Sequence, residues 1–320
     1  MRAIVQSRYG GPDVLRLDEI PPPRVGEKEV LVRVHATAVN PYDFHIMRGR
    51  PLLMRLVAKG MRRPKQPVPG CDLAGVVESI GPGVTRFLVG DRVFGIHGGA
   101  FADYLNVHQD LLAPMPDNVT FEQAAAVPLA ALSALQALQF DGGGGGVRKG
   151  QRVLIIGAAG GIGTFAVQLA RHFGAEVTGV CSTRNVGTVK SLGAQHVFDY
   201  TREDFARAGR SYDRIVDLVG NRSLRDRRRA LAPDGTLVAV AGPIRKLIVL
   251  LLAARFGRTR MGFFVTKSDK DDLMLLSRML ETGDITPVIE RTYPLHDAPA
   301  AVRSVGQGHA RGKHVITVVA

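Results

Sequence analysis

One stretch of the chain, residues 152–163 (RVLIIGAAGGIG), constrains the fold more than any other. Residues 153–156 form a short aliphatic run, which is typical of a strand buried on both faces of a parallel sheet. The run leads into four glycines within seven residues, and apolar residues at helical spacing follow. A strand, a glycine-rich turn and a helix in this order predict the first βαβ unit of a doubly wound α/β fold.

The glycines of this turn suit a bound pyrophosphate. The first turn of a helix has unpaired N–H groups and a partial positive charge, so it attracts an anion. A phosphate can come close only where no Cβ blocks it, so we expect it to contact Gly160. Gly163 lets the helix pack closely on the strand. Ala158 replaces the first glycine of G-x-G-x-x-G, so a tight turn without a ligand is the alternative. The predicted dinucleotide contacts are Ala159, Gly160, Gly161, Ile162 and Gly163.

The length and composition favour a globular protein of about two domains. Of the 320 residues 45% are hydrophobic, and the longest apolar run, residues 247–254, is too short to cross a bilayer. We expect Cys71 and Cys181 to lie in the core, from their positions in the sequence. Two such thiols suit a reducing cytoplasm and are too few for a Cys₄ zinc site. No targeting segment is visible in the first ten residues, so the cytoplasm is the expected location.

The net charge of +13 is compatible with two kinds of anionic partner, nucleic acids and membrane surfaces. The basic residues form clusters only at 55–65 and 222–229, and the chain has no tryptophan. We interpret the excess charge as an arginine-rich, solvated surface that also suits an anionic cofactor.

The first third of the chain alternates short strands with turns. The alternation predicts strands at residues 3–6, 14–18 and 29–39, and then a short helix at 42–49 that a glycine ends. Residues 50–69 are basic and bounded by prolines, which predicts a loop or lid. Further strand and turn signals, at 71–84, 89–95 and 98–107, complete a small β-barrel-like domain.

The pattern changes at Thr120, which forms a capping box with Gln123. An alanine- and leucine-rich helix pair extends to residue 140, and the glycine run at 142–146 indicates a surface loop. Strands then alternate with helices, which predicts a doubly wound parallel sheet. The further predicted strands are 177–180, 197–199, 214–219, 236–241 and 263–266, followed by a helix at 269–281 and a β-like tail at 313–319 that rejoins the first domain.

Eight motifs occur in order along the chain. They are VNPYDFHIMRG (39–49), PGCDLAGVV (69–77), GDRVFG (90–95), GGAFADYLNV (98–107), PLAALSALQAL (128–138), VLIIGAAGGIG (153–163), LGAQHVFDY (192–200) and GHARGKHVITV (308–318). Together they resemble the medium-chain dehydrogenase/reductase superfamily, and within it the zinc-free quinone oxidoreductase-like branch. The resemblance implies a Rossmann-type doubly wound parallel sheet, residues 123–267, which binds NADP. It is inserted in a GroES-like β-rich barrel domain, residues 1–122 and 268–320, which carries the catalytic groups; relatives are often homodimers.

The same resemblance bears on the use of metal. Zinc-dependent relatives hold zinc through a cysteine, a histidine and a later cysteine, and alignment on Asp43 puts Asn40 at the first position and Cys71 at the second. A carboxamide is a poor zinc ligand and no thiol remains for the third position, so we expect no metal.

Loss of the metal favours a particular class of substrate. Without a Lewis acid, reduction of a plain ketone loses stabilisation of the developing negative charge. A quinone or an α,β-unsaturated carbonyl spreads that charge by conjugation and needs less help. We therefore expect NADPH-dependent hydride transfer to a quinone or an enone, followed by proton delivery.

The resemblance also implies the catalytic residues. Asn40 is expected beside the nicotinamide and the substrate oxygen. His45 stands where related reductases often carry tyrosine and is a candidate proton donor near neutral pH, although it can equally be a residue that only lines the cleft. Tyr42 is a second candidate for the same role, and Asp43 is expected to order the loop through hydrogen bonds.

The end of the second strand of the nucleotide domain determines the choice of cofactor. NAD sites place Asp or Glu there for the ribose 2′-OH, whereas a 2′-phosphate needs cations and hydroxyl groups. Residues 181–185 read CSTRN, so Ser182 and Arg184 are predicted to bind the phosphate of NADPH. The resemblance adds Tyr200 to this pocket, while Asn185 replaces a lysine that is common in relatives. A merely solvated Arg184 is the alternative.

The remaining cofactor contacts depend on the resemblance and on the binding of ligands at the carboxyl ends of parallel strands. Ser133 stands where relatives have a threonine near the nicotinamide ribose. The residues predicted at the strand ends are Val219, Ala241, Phe263, Phe264 and Val265, and for these ordinary strand packing is the alternative.

The sequence is also compatible with other functions. The chain can be a non-catalytic NADPH-binding protein that contacts RNA through its basic loops. It can also associate with membranes through residues 244–260 (IRKLIVLLLAARFGRTR), which are apolar in the middle and basic at both ends. Among enzymes, the alternative is a zinc-independent alcohol or aldehyde dehydrogenase.

Overall fold

The computed structural model describes residues 1–58, 60–141, 145–242, 260–308 and 310–319. Contacts divide the chain into two units: unit 1 comprises Met1–Leu129 with Ser268–Ala320, and unit 2 comprises Ala130–Lys267. The first division falls at Leu129 instead of the predicted residue 122, because the helix after Thr120 packs on strands of unit 1. Within the described residues, no helix is both long enough and apolar enough to span a membrane.

The elements of the described residues have the following bounds. The strands are β1 Arg2–Gln6, β2 Leu15–Glu19, β3 Glu29–Val39, β4 Asp72–Ile80, β5 Arg92–Ile96, β6 Tyr104–His108, β7 Leu112–Pro114, β8 Arg152–Ile156, β9 Glu176–Cys181, β10 His196–Asp199, β11 Tyr212–Asp217, β12 Leu231–Ala239, β13 Arg260–Phe263, β14 Ile289–Pro294 and β15 Lys313–Thr317. The helices are α1 Pro41–Arg48, α2 Leu53–Val57, α3 Phe121–Ala125, α4 Pro128–Gln139, α5 Gly161–His172, α6 Val186–Ser191, α7 Leu224–Ala230, α8 Lys270–Glu281 and α9 Ala298–Gly306.

Unit 1 is built around β3, whose long alternating sequence buries Val30, Val32 and Val34 in the core. The larger sheet has the order β14–β15–β3–β4–β5–β7, and β6 also pairs with β3, while β1 and β2 form a separate antiparallel pair. The C-terminal strand β15 runs antiparallel to β3, with His314 opposite Val39. The tail therefore lies beside the end of β3, where α1 begins.

Helix α1 follows β3 after a single residue, Asn40. Pro41 occupies the first turn, where its missing N–H costs nothing, and the carboxylate of Asp43 accepts a hydrogen bond of 2.8 Å from the backbone N–H of Asn40. Gly49 ends the helix in the left-handed conformation, with a φ of 58°. The predicted short helix at 42–49 is thus confirmed, and its capping fixes the position of Asn40.

Unit 2 contains a six-stranded sheet in the order β10–β9–β8–β11–β12–β13, and every adjacent pair is parallel. Numbered within the sheet, this order is 3-2-1-4-5-6, the arrangement of dinucleotide-binding doubly wound folds. The predicted doubly wound parallel sheet is therefore confirmed. Its switch point lies between β8 and β11, at the carboxyl end of β8.

Several predicted boundaries were wrong. The sheet strands end at Asp217, Ala239 and Phe263, so predicted strands 214–219, 236–241 and 263–266 extend too far, and the last of them overlaps β13 by one residue. The chain turns earlier because backbone pairing with the neighbouring strands stops at these residues. Helix α2 lies in the stretch predicted as a loop, and Arg227, from a basic cluster predicted to be solvated, is buried. Residues 142–144 of the glycine run and 244–259 of the apolar segment lie outside the described residues.

Candidate active site

The turn between β8 and α5 requires glycine at two positions, at one because of its backbone conformation and at the other because of packing. Gly157 has a φ of +89°, which L side chains rarely adopt. A Cβ on Gly163 would lie 2.1 Å from the carbonyl oxygen of Gly157, so only glycine lets α5 approach the strand so closely. These two glycines are explained without any ligand.

Gly160 is different, because the protein leaves space at this position. It is the N-cap of α5 with a φ of −78°, and a Cβ there would meet only the carbonyl oxygen of Gly157, at an ordinary 3.5 Å. Among the described residues no side chain caps α5, so the N–H groups of Gly161, Ile162 and Gly163 are oriented towards an open cradle. The cradle fits a pyrophosphate, which needs both the N–H donors and the missing Cβ.

The predicted phosphate residues lie at the ends of two neighbouring strands. Ser182 directly follows β9 and Tyr200 directly follows β10, and the backbone N–H of Tyr200 donates to the carbonyl oxygen of Cys181 over 3.0 Å. The Nδ2 of Asn185 donates to the Oγ of Ser182 over 3.2 Å, which holds that hydroxyl at the strand end. Arg184 and Tyr200 are exposed, as residues that bind a polar ligand must be before it arrives.

Asp199, an acid that was not among the predicted site residues, lies at the same edge. Its Oδ2 accepts a hydrogen bond from Thr183 and its Oδ1 accepts bonds from the hydroxyl and the backbone N–H of Thr201, while Arg202 approaches to 3.6 Å. The bond from Thr183 is the main cause that lowers the pKa of Asp199. Asp199 thus holds the residues that follow β9 and β10 together through Thr183 and Thr201.

Of the predicted strand-end residues, Val219, Ala241, Phe264 and Val265 lie in the loops beyond the strands, and Phe263 ends β13. The loop after β11 is held by Asp217, whose Oδ1 accepts the N–H groups of Val219 and Gly220 over 3.1 and 2.8 Å. The Oδ2 of Asp217 pairs with Arg227 at 2.9 Å in a fully buried ion pair.

This loop support was missed from the sequence, although an acid that directly follows two buried aliphatic residues, as Asp217 follows Ile215 and Val216, is a signal for it. Gly220 and Gly242 come so close that a Cβ on Gly220 would lie 2.5 Å from the Cα of Gly242. The loops after β11 and β12, which carry Val219 and Ala241, therefore meet.

Ser133 is almost completely buried on α4, and its hydroxyl lies 2.7 Å from that of Thr266, in the loop after β13. Phe264 stacks on Phe140, with ring centroids 6.2 Å apart. Both contacts attach the loop after β13 to α4. The loop after β13, which carries Phe264 and Val265, is thus held beside Ser133 of α4.

The predicted catalytic residue Asn40 belongs to a buried polar cluster in unit 1. Its Nδ2 donates to the Oδ2 of Asp72 over 2.9 Å, and it makes only longer contacts with the carbonyl oxygen of Ala38 at 3.4 Å and the Sγ of Cys71 at 3.5 Å. Its Oδ1 accepts a short hydrogen bond from the Nζ of Lys313. One N–H of Asn40 is therefore firmly bonded, while the other has only weak partners.

A buried ion pair holds this cluster together. The Nζ of Lys313 lies 3.2 Å from the Oδ2 of Asp72, and both side chains are almost completely excluded from solvent. The Oδ1 of Asp72 accepts the backbone N–H of Leu129 over 2.8 Å. A buried ion pair is tolerated when its remaining donors and acceptors are bonded in this way.

Lys313 and Asp72 were not predicted as site residues. Both are charged residues in segments otherwise typical of buried strands, and this is the signal that identifies them.

Burial changes the protonation of two neighbours of the cluster. Desolvation raises the pKa of Asp43 to about 7, and the charge of Asp72 acts in the same direction, while the bond from Asn40 and the charge of Lys313 oppose it. Desolvation also raises the pKa of the Cys71 thiol well above its ordinary value. Cys71 therefore stays protonated at neutral pH, and Asp43 titrates there.

Tyr42 and His45 lie on α1 at an i, i+3 spacing, and both are exposed. Partial burial raises the pKa of Tyr42, so its phenol keeps its proton at neutral pH. The Nδ1 of His45 lies 3.3 Å from the carbonyl oxygen of Arg50. The structure thus presents Tyr42 and His45 to solvent, whereas Asn40 is held inside the cluster.

The cluster is a poor match to a zinc site. Within the described residues, no group of three or more His, Cys, Asp or Glu side chains is arranged to hold a metal ion. The donors around Asn40 are a carboxamide, a thiol that stays protonated and a carboxylate that is already paired with an ammonium group. Zinc requires deprotonated thiolates, neutral imidazoles or carboxylates, and this set offers no such combination.

A sheet in the 3-2-1-4-5-6 order with a pyrophosphate cradle, together with a β-rich unit, defines a two-domain dinucleotide-binding protein. The family model described as "Alcohol dehydrogenase GroES-like domain" matches residues 26–117, and that described as "Zinc-binding dehydrogenase" matches residues 192–316. The solved quinone oxidoreductase from Coxiella burnetii aligns with a TM-score of 0.89 and 30% identity, covering 100% of this chain and 99% of that one.

Curated relatives agree. The 2-methylene-furan-3-one reductase of Solanum lycopersicum is 33% identical over 332 residues, which cover 99% of this chain and 79% of the relative. The chloroplastic NADPH-dependent alkenal/one oxidoreductase of Arabidopsis thaliana is 33% identical over 336 residues, with the same coverage. The chain belongs to the medium-chain dehydrogenase/reductase superfamily, in its quinone oxidoreductase-like branch. The predicted family and the predicted GroES-like and Rossmann-type parts are thereby confirmed.

Proposed function

We propose that this protein is an NADPH-dependent reductase that transfers a hydride to a quinone or an α,β-unsaturated carbonyl without a metal ion. The observation that carries the proposal is the buried cluster in which the Lys313 ammonium, paired with Asp72, donates to the Oδ1 of Asn40. The relatives named alkenal/one oxidoreductase and furanone reductase support the substrate class, and one of them is named as NADPH-dependent.

The residues of unit 2 have the role of holding the cofactor. The backbone from Ala159 to Gly163 receives the pyrophosphate, and Ser182, Arg184 and Tyr200 receive the 2′-phosphate. Ser133, Val219, Ala241 and Phe263–Val265 contact the nicotinamide half. When bound, the reduced nicotinamide supplies the hydride.

The residues of unit 1 orient and polarise the acceptor. A hydrogen bond from Lys313 to the Oδ1 of Asn40 withdraws electron density from the amide and strengthens its N–H donors. The weakly bonded N–H of Asn40 then serves the carbonyl oxygen of the acceptor, where negative charge develops. Because conjugation spreads that charge, one polarised donor is sufficient, and the phenol of Tyr42 or the imidazole of His45 delivers the proton.

The cluster is also the reason why we propose a reaction without zinc, although one matching family model is described as zinc-binding. The ammonium of Lys313 already supplies the positive charge beside Asn40 and Asp72. A plain ketone or aldehyde, which relies on a Lewis acid, should therefore be a poor substrate.

The decisive experiment measures NADPH oxidation with matched acceptors. We expect turnover with 1,4-benzoquinone and with 2-alkenals or enones, and turnover at least about a hundredfold slower with the corresponding saturated aldehydes and ketones. Saturated aldehydes as the best substrates would instead support a metal-free alcohol dehydrogenase. Lack of turnover with every acceptor, despite tight binding of NADPH, would support a cofactor-binding protein without catalytic activity.

The cofactor assignment is tested with Arg184→Ala, and Arg207→Ala is the matched control because Arg207 is an exposed arginine of the same unit. We expect Arg184→Ala to weaken NADPH binding by about tenfold or more and to leave NADH binding unchanged. Equal losses for both cofactors, or an equal loss in the control, would contradict the assignment.

We further propose a homodimer in a reducing compartment, the cytoplasm. Cys71 and Cys181 are both free and buried, which supports a reducing compartment. The dimer is supported by the resemblance, because relatives are often homodimers. Sedimentation equilibrium of the purified protein tests the dimer, and fractionation of the cells that produce it tests the cytoplasmic location.

A further inference from the structure

Helix α2 and the residues after it present an apolar surface to solvent. The large side chains of this surface are between 46% and 64% exposed: Leu52, Leu53, Leu56, Val57 and Met61. Residues 52, 53, 56 and 57 follow the i, i+1, i+4, i+5 spacing of one helix face, so they form a continuous stripe. Contiguous exposed apolar residues of this kind indicate an interaction surface, whereas single ones do not.

The polar side of α2 faces the protein. Arg55 is partly buried, its guanidinium stacks over the ring of Tyr9 at 4.9 Å, and it donates to the carbonyl oxygens of Gly49 and Met61 over 3.3 and 3.0 Å. Backbone bonds from Gly60 to Arg55 and from Lys65 to Ala58 hold the following residues against the helix. The apolar stripe is therefore held outwards by specific contacts.

The charge of this segment has one sign. Between Asp43 and Asp72 the sequence contains no acidic residue, and it contains seven lysines and arginines, at positions 48, 50, 55, 59, 62, 63 and 65. Arg48, Arg50, Arg62, Arg63 and Lys65 are exposed. Five exposed cations thus lie beside the apolar stripe, and the segment holds no acidic residue to neutralise them.

We propose that this surface, residues 48–58 and 60–65 with the stripe of α2, binds the surface of an anionic lipid bilayer. Apolar side chains that enter the boundary of the acyl chains and flanking arginines that meet anionic headgroups are the two requirements of an interfacial segment, and both are present. The inference does not depend on the proposed reductase activity.

Two other partners fit the observations less well. A second copy of the chain in a two-fold interface would bring the same uncompensated positive charges together, which repels. A nucleic acid would use the arginines but leaves the five exposed apolar side chains without a role. Of these three partners, the anionic bilayer alone uses both features.

The absence of tryptophan from the chain allows a direct test of insertion. Leu56→Trp places a single tryptophan in the stripe, and Leu88→Trp is the matched control, because Leu88 is 71% exposed in another loop of unit 1. With phosphatidylcholine vesicles containing about 30% phosphatidylserine, we expect a blue shift and quenching by brominated lipid for Leu56→Trp only. An unshifted Leu56→Trp, or equal shifts for both variants, would overturn the proposal.

A second test separates the two requirements by vesicle flotation of the full-length protein. We expect Leu53→Glu/Leu56→Glu to lower binding to the anionic vesicles by about tenfold or more, while Leu88→Glu/Val89→Glu, which adds the same charge, has little effect. We expect Arg62→Gln/Arg63→Gln to lower binding by about fivefold for each charge removed, and wild-type binding to weaken with salt. Circular dichroism confirms that each variant is folded.

Three results would overturn the proposal. One is wild-type protein that does not float with anionic vesicles at low salt. Another is binding that depends on the arginines and not on the leucines, which would indicate adsorption to any polyanion, RNA included. The third is a wild-type dimer that becomes monomeric on Leu53→Glu/Leu56→Glu in the absence of lipid, which would assign the surface to a second copy of the chain.

Discussion

Among single residues, Lys313 is the cation of the buried polar cluster in unit 1. Its ammonium group neutralises the carboxylate of Asp72 and bonds to Asn40 in a place that water does not reach. In such surroundings a charge that loses its partner is far more costly than the pair itself. The same group therefore affects both the stability of unit 1 and the polarity of the Asn40 amide.

These two effects can be separated. We expect Lys313→Met to lower the free energy of unfolding by about 3–5 kcal/mol, because Asp72 is left as an unpaired buried charge. Adding Asp72→Asn removes that charge and should restore most of the stability, but it should not restore kcat with an enone, since the Asn40 amide still lacks its cation. Urea unfolding and steady-state kinetics on the two variants provide the measurement, and a double variant with full activity would refute the catalytic part.

Asp43 should make the stability of the protein depend on pH. Its pKa is raised from 3.8 to about 7 in the folded protein, so between these values the folded state holds a proton that the unfolded state has lost. Its contribution is therefore most favourable below about pH 4 and is lost as the pH rises towards 7.

The matching variant is Asp43→Asn, which keeps an oxygen to accept the N–H of Asn40. The unfolding free energy of the wild type minus that of the variant should fall between about pH 4 and 7, by up to about 1.4 kcal/mol per unit, and be flat above about pH 8. Urea unfolding at a series of pH values measures this difference. A difference that rises with pH would show that the carboxylate is stabilised by its surroundings instead.

Among the elements, the turn between β8 and α5 contains one glycine that packing requires, Gly163, and one that we assign to ligand binding, Gly160. Gly163 cannot accept a Cβ, whereas Gly160 has space for one and an ordinary φ. Gly163→Ala should therefore lower the melting temperature strongly. Gly160→Ala should change it by less than about 3 °C, and should still weaken NADPH binding by about tenfold or more. Calorimetry of melting and of NADPH binding tests both; unchanged binding in Gly160→Ala would remove the pyrophosphate from this cradle.

The sequence predicted well those elements whose signals are local. The alternation of β3, the capping of α1 and α3 and the strand–glycine–helix unit each depend on neighbouring residues, and they lie where the sequence predicts them. Strand ends were misplaced because they depend on where pairing with another strand stops, as for β13. The orientation of α2 was not predictable either, since its apolar face is turned outwards by Arg55 and Tyr9, whose positions belong to the tertiary fold.

The candidate site was predicted only in part for the same reason. Gly160, Ser182 and Asn40 stand in recognisable motifs. Lys313 approaches Asn40 only because β15 pairs with β3, a contact between residues 273 positions apart that no local pattern records. The pair of Asp217 and Arg227 similarly joins a strand to the following helix through their buried side chains.

For the whole molecule, the metal content is the property that most clearly tests the proposal. We expect the purified protein to contain less than about 0.1 zinc ion per chain, and its quinone or enone reduction to persist after dialysis against a chelator, because Lys313 already supplies the cation. Plasma emission spectrometry and the NADPH assay measure the two quantities, with a zinc alcohol dehydrogenase as a control that loses activity. One zinc per chain that is needed for turnover would contradict the mechanism.

The place of Lys313 in the last strand has a consequence during synthesis. A ribosome makes Asn40 and Asp72 early, and it makes all of unit 2 before it reaches β15. Until then the growing chain has no ammonium group for the carboxylate of Asp72, and β3 has an unpaired edge where β15 will lie. The nucleotide unit can therefore mature on the ribosome, while the buried ion pair of the other unit cannot form until β15 has been made.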